Sequence, residues 1–228
     1  MNGSGQIDGQ GSIWWKICKA LSFKSCINLK LSGIHHINSA KGHISINNCN
    51  QVRIQNLTIT APEDSPNTDG IDISESKDIV VQNCTIATGK RCTNILHIQI
   101  YIYIYIYIYI YIYLYDEKLR MFILIGDDCI ALNKGASNIN ITAINCGPGH
   151  GISVGSLGKG GGYATVENVY VGNCSFYGTT NGLRIKTWQD GYGFIRNVTY
   201  HQIRLQNTKY PIIIDQNYRD YVQVMHIF

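Results

Sequence analysis

Ile79-Val80-Val81-Gln82-Asn83-Cys84-Thr85-Ile86 is a short alternating run of β-branched residues interrupted by a turn-forming asparagine. Related text recurs at residues 44–46, 52–59, 139–144, 166–171 and 198–203, with Asn56, Asn83, Asn145 and Asn173 in equivalent places, three of them followed by cysteine. No helical period accompanies these runs. Self-similarity at roughly 20 to 50 residues is the signature of a solenoid, and short β-branched strands select a β-solenoid. The competing architecture is a β-sandwich, whose strands alternate with hairpin turns, and no Asn-Gly or Asp-Gly pair here is flanked in that way.

Composition agrees with many brief strands and tight turns: 228 residues, 45% hydrophobic, 23 Gly against 4 Pro. The net charge of +4 owes about half to Lys90, Arg91, Lys118 and Arg120 set against Asp116 and Glu117, so bulk electrostatics give no case for nucleic acid. Eight cysteines make no CxxC pair and no Cys/His spacing of a zinc site, so neither metal nor cofactor is expected. Six Asn-x-Ser/Thr sequons, beginning at Asn2, Asn56, Asn83, Asn140, Asn173 and Asn197, are compatible with secretion, although an Asn-rich repeat generates them by chance. The polar opening Met1-Asn2-Gly3-Ser4-Gly5 is not a signal peptide, so either the protein is not secreted or its beginning is missing.

Residues 100–113 repeat Ile-Tyr seven times within an apolar run from Ile95 to Tyr115. That run is long enough for a membrane-spanning helix, strictly alternating enough for a long strand, and simple enough to be a translated TA tract. The edges favour the tract: Gly89-Lys90 is encodable as GGTAAG, an intron donor, and Ile125-Gly126 as ATAGGN, an acceptor. Residues 90–125 are therefore expected to be a non-native insert in one domain spanning 1–228, with no membrane segment.

Removing the insert changes the spacing of the acidic residues. Asp69 and Asp127 lie 58 positions apart as written and 21 apart without it, and Asp128 precedes His150 by 22. Each interval is one coil, so Asn67-Thr68-Asp69, Asp127-Asp128 and His150 are predicted to converge on one groove. Carboxylates so clustered repel one another, which raises at least one pKa and keeps a proton for general-acid work. Arg184 and Lys186, two apart, share a strand face and suit an anionic substrate. Taken singly, each residue has a plainer reading. Asp69 suits a turn, Asp127-Asp128 a helix cap or calcium ligand, His150 a loop between glycines, Arg184 and Lys186 a solvated strand face, and Tyr218 packing.

Asn67-Thr68-Asp69-Gly70, Gly126-Asp127-Asp128-Cys129, Gly149-His150-Gly151 and Arg184-Ile185-Lys186 together resemble, in order and context, the four motifs of plant-type polygalacturonases, glycoside hydrolases of family 28. The resemblance covers residues 5–89 and 126–219, including Ile7-Asp8-Gly9-Gln10-Gly11 and Trp14-Trp15. It implies an all-β right-handed parallel β-helix and inverting hydrolysis of α-1,4-linked galacturonic acid in pectin, with no metal. By that resemblance Asp127 protonates the glycosidic oxygen, Asp69 and Asp128 activate water, and His150 supports the acid. Asn67, Arg184, Lys186 and Tyr218 would contact substrate, and Cys129 would pair with Cys146. Inverting enzymes generally hold acid and base roughly 6.5 to 9.5 Å apart, and that separation is expected here. The family also implies a secreted, monomeric cell-wall enzyme with coils beyond both ends of this chain, so a fragment is expected. The alternative is an inactive or degenerate relative that at most binds pectin.

Overall fold

The computed structural model of the chain describes residues 1–11, 21–62, 65, 68–89 and 126–219. Trp14, Trp15, Asn67, the insert 90–125 and the stretch 220–228 lie outside the described residues. Eighteen strands run in chain order: β1 (Gln6–Asp8), β2 (Leu21–Lys24), β3 (Lys30–Ser32), β4 (His35–Ile37), β5 (Ile44–Asn47), β6 (Asn50–Gln55), β7 (Thr58–Thr60), β8 (Ile71–Ser74) and β9 (Lys77–Ala87) precede the insert. After it come β10 (Ile130–Leu132), β11 (Ser137–Cys146), β12 (Ile152–Leu157), β13 (Tyr163–Gly172), β14 (Ser175–Tyr177), β15 (Asn181–Thr187), β16 (Tyr192–His201), β17 (Arg204–Gln206) and β18 (Tyr210–Asp215).

These strands wind into the expected right-handed parallel β-helix. One sheet of seven strands runs β2-β5-β8-β10-β12-β15-β18; an eleven-stranded sheet is built along β1-β4-β7-β9-β11-β13-β16. Every strand ladder among the described residues is parallel, which rules out the hairpin-linked sandwich. Parallel in-register stacking puts like residues in rows. Ile44, Ile71, Ile130, Ile152 and Leu183 form one interior row, and Val52, Ile79, Ile139 and Val169 another. All nine are 3% exposed or less. Each fully buried aliphatic side chain contributes about 1.5–3 kcal/mol, so this repeated row is the main source of cohesion. No helix of the described residues is long and apolar enough to cross a membrane.

The chain bends through left-handed backbone at asparagines: Asn56 and Asn173 between strands and Asn83 within β9 have φ of 55°, 53° and 53°. Asn145, expected to be their equivalent, is not. It pairs within the sheet with Thr85 and Ser175, and Ala143 takes the left-handed turn at φ 54°. The Asn-Cys text misleads because Cys84 stands in register with Ile144, whereas Cys146 stands with Ile86 and Phe176 and is bound to Cys129. A second turn row is tied by side-chain amides: Asn138 donates to Asp78 at 2.9 Å, Asn168 to Asn138 at 3.0 Å and Asn197 to Asn168 at 3.0 Å.

The residues flanking the insert meet. Gly89 and Gly126 form an antiparallel bridge, and the Asp127 amide donates to the Thr88 carbonyl at 3.1 Å. A side chain at 126 would bring its Cβ within 2.6 Å of Gly89 Cα, and φ there is +131°, so glycine is needed for this close approach. The coil thus closes across the insertion point, and β8 and β10 keep their register at Ile71–Ile130 and Ile73–Leu132.

Candidate active site

Asp69, Asp128 and His150 each lie two residues before the interior row Ile71, Ile130 and Ile152, so register alone stacks them on three successive coils. Backbone bonds fix the stack. The Asp128 amide donates to Asp69 Oδ1 at 3.2 Å and to Asp127 Oδ1 at 2.9 Å, and the Gly70 amide donates to the Asp128 carbonyl at 2.9 Å. The Asp127 carbonyl accepts from the His150 amide at 2.8 Å and from Thr88 Oγ1 at 2.7 Å. A disulfide joins Cys129 to Cys146, Cα atoms 5.9 Å apart, and anchors the segment behind Asp128 to the end of β11.

Within this stack the carboxylates have different surroundings. The Asp128 side chain is 2% exposed. Ser153 Oγ donates to its Oδ1 at 2.6 Å, Arg184 Nη2 to the same oxygen at 2.8 Å and Lys186 Nζ to Oδ2 at 3.1 Å, while Arg184 Nε donates to Ser153 Oγ at 3.0 Å. Burial pushes the Asp128 carboxyl up, but Lys186, Arg184, His150 and the Ser153 bond together outweigh it and hold the group down at about 2. Asp69 has no cation among its main influences. Burial, then the charges of Asp127, Asp72 and Asp128, push its carboxyl well above the usual range, and it shares a side-chain hydrogen bond with Asp127.

Asp127 is 20% exposed at the groove, with His150 Nδ1 3.8 Å from its Oδ1. The expected wide acid–base separation is not present. Asp69 and Asp127 are hydrogen-bonded, and Asp127 and Asp128 present oxygens within 4.8 Å of each other. The reason is partly local and partly the fold: Asp127 and Asp128 are consecutive in the chain, and Asp69 stands in phase with Asp128 on the neighbouring coil, about 4.8 Å away.

Arg184 and Lys186 do share one face, and the structure sets both against Asp128. Lys186 Nζ also lies 5.5 Å from the centre of the Tyr218 ring, which packs edge-on against Trp188 at 5.8 Å. Two residues were missed in the sequence. Ser153 links Asp128 to Arg184, and the signal was its in-register place opposite Arg184. Asp72 was readable from alternation after Asp69-Gly70-Ile71, and it adds to the charge pressing on Asp69. Asp127, Asp128 and His150 are close enough together to suggest a cation site, but Arg184 and Lys186 already neutralise Asp128, and a metal there would face both positive charges.

The sequence profile of glycosyl hydrolases family 28 matches residues 1–106 and 118–226. A probable polygalacturonase of Arabidopsis thaliana is 49% identical over 222 residues, covering 96% of this chain and 41% of that protein. Polygalacturonase QRT2 of the same plant is 38% identical, over 98% of this chain and 45% of its own length. The chain thus spans less than half the length of these relatives. Among solved structures, the endo-xylogalacturonan hydrolase of Aspergillus tubingensis superposes with a TM-score of 0.71 at 25% identity, covering 92% of this chain and 51% of that one. Endopolygalacturonase I of Stereum purpureum, solved with two galacturonates, shares the fold with a TM-score of 0.67 at 22% identity, covering 96% and 60%.

Proposed function

We propose, from the premise that this chain belongs to glycosyl hydrolases family 28, that its groove hydrolyses α-1,4-galacturonosyl linkages of polygalacturonate by an inverting mechanism. The observation that carries this reading is the gathering of Asp69, Asp127 and Asp128 on adjoining coils, each in a different electrostatic environment. Asp127, the carboxyl open to the groove beside His150, donates a proton to the glycosidic oxygen. Asp69, which the resemblance casts with Asp128 as an activator of water, is instead pressed by burial and the charge of Asp127 to keep a proton, and returns one to Asp127 after the transfer. Asp128, held ionised by Arg184 and Lys186, withdraws the proton of the attacking water.

The carboxylates are poorly placed for retention. Retention needs a bare carboxylate free to bond the anomeric carbon. Asp128 is 2% exposed and bound at both oxygens, so it reaches the substrate only through a water held at the remaining lone pair of Oδ2, and Asp69 is driven toward its protonated form. Water is left as the nucleophile despite the short separations. The remaining N–H groups of Arg184, with the Tyr218 ring beside Lys186, are placed for the uronate carboxylates of substrate, and Asn67 belongs to the same proposed set. A monomer acting on pectin outside the cell is the biological setting that the family suggests.

Reducing-end release from polygalacturonate tests this. Asp127→Asn is expected to lower the rate by about 10²–10⁴-fold, the typical worth of a general acid, and Asp128→Asn by a comparable factor. An unchanged rate in Asp127→Asn refutes the assignment. Proton NMR of the first product in heavy water tests stereochemistry: a new β-configured reducing end is expected, and an α end means retention.

A further inference from the structure

The disulfide behind Asp128 uses one cysteine pair; a second pair is assembled at the other end of the solenoid. Strands β2 and β5 stay in parallel register to Lys24–Asn47, and the next described pairing is the bridge Ile27–Asn50. Cys26 therefore stands opposite Cys49. The Cys26 amide donates to Cys49 Sγ at 3.3 Å, and the two thiols share a hydrogen bond. The single Cys49 S–H lies within reach of the Asn47 carbonyl at 3.3 Å and the Phe23 carbonyl at 3.5 Å and donates to one at a time. Residues opposed on parallel strands lie about 4.8 Å apart, inside the roughly 4.4–6.8 Å Cα range that a disulfide spans. Cys84 and Cys174 provide the contrast. Register sets Ile144 between them, so they are two strands apart and out of reach.

We propose that Cys26 and Cys49 are a second cross-linking site, closed by exchange with a low-molecular-weight disulfide and tying the first full coil to the next. Cys26, partly exposed, reacts first, because burial raises the Cys49 thiol and keeps it protonated. The Cys26 thiolate attacks one sulfur of oxidised glutathione; that S–S bond breaks, one glutathione leaves, and a mixed disulfide forms on Cys26. The Cys49 thiolate then attacks the Cys26 sulfur and expels the second glutathione. Two protein thiols are oxidised, one glutathione disulfide is reduced to two thiols, and the two protons pass to the departing glutathiones.

The test is incubation of the full chain with oxidised glutathione, alkylation under denaturing conditions, digestion without reduction, and mass mapping. A Cys26–Cys49 linked peptide is expected, with intact mass lower by about 2 Da and two fewer alkylatable thiols. The melting temperature should rise by roughly 5 °C, and Cys26→Ser should show neither change. Glutathione retained on Cys26 with Cys49 alkylated, or a link from Cys26 to Cys18 or Cys92, overturns the proposal.

Discussion

Asp128 and the pair His36–His43 lie at the same depth, 1% exposed or less, and the chain treats them in opposite ways. Every oxygen of Asp128 is bound, by Ser153, Arg184 and Lys186 from the two following coils. Among the described residues no ring nitrogen of His36 or His43 has a hydrogen-bond partner, and the two rings meet edge to face at 4.7 Å. Yet they are close to the site, since the His43 amide donates to the Asp69 carbonyl at 2.7 Å. A buried carboxylate is tolerated where it is paired, and a buried imidazole where it is able to shed its charge. Burial accordingly lowers His36 to about 4, and burial with the neighbouring His36 lowers His43 to about 3.

Breaking the satisfied side of this comparison should have the largest effect. Lys186→Met leaves the Asp128 carboxylate buried with one cation fewer, and loss of one partner of a buried pair costs about 3–5 kcal/mol. Denaturant unfolding is expected to show that loss, together with an Asp128 pKa moved upward in the folded protein.

The unsatisfied side makes itself felt through pH. Both histidines have folded pKa values below their unfolded value of 6.5, so the stability tied to their neutral forms is full above pH 6.5 and is lost as pH falls toward about 4 and about 3. The expected slope is roughly 1.4 kcal/mol per pH unit for each imidazole. Asp128 acts in a lower window: its folded pKa of about 2 is below the unfolded 3.8, so its contribution is present above 3.8 and lost only as pH falls through 2. His36→Leu should therefore flatten the stability–pH curve between 6.5 and 4 and leave the decline below 4 in place. An unchanged slope in that variant would mean that His36 is already charged in the folded chain.

A smaller effect is expected at the exposed amide row. Asn168→Ala removes the bonds to Asn138 and Asn197 and leaves alanine at φ 55°, for a loss of about 1–2 kcal/mol in thermal unfolding.

Much of this was legible because a solenoid writes its coils as repeated text. The apolar alternation at 79–86 marks interior positions of β9, and coil spacing placed Asp69, Asp127-Asp128 and His150 together once 90–125 was set aside. Local text failed where it imitated register without sharing it. Asn145-Cys146 copies Asn83-Cys84 and Asn173-Cys174 but sits two residues along its coil, because Cys146 belongs to the Ile86 row. The interrupting asparagine acts differently in like runs: residues 52–59 are two strands, β6 and β7, with Asn56 turning left-handed between them, whereas β9 runs on through Asn83. Pairing across coils was harder to read than position: nothing in Arg184-Ile185-Lys186 alone says that both cations grip Asp128, or that Ser153 bridges them. The short carboxylate separations follow from the Asp127-Asp128 adjacency together with the strand spacing that sets Asp69 beside Asp128.

If the coils on either side of residues 90–125 close at Gly89 and Gly126 into the proposed groove, that stretch is dispensable for hydrolysis. Deleting 90–126, so that Gly89 is followed by Asp127, tests it most directly, with reducing-end release from polygalacturonate as the measurement. The shortened chain is expected to form the Cys129–Cys146 disulfide and to cleave polygalacturonate at least as fast as the full chain, with Asp127→Asn lowering the rate by about 10²–10⁴-fold in both. A shortened chain that folds with that disulfide yet releases no reducing ends would contradict it.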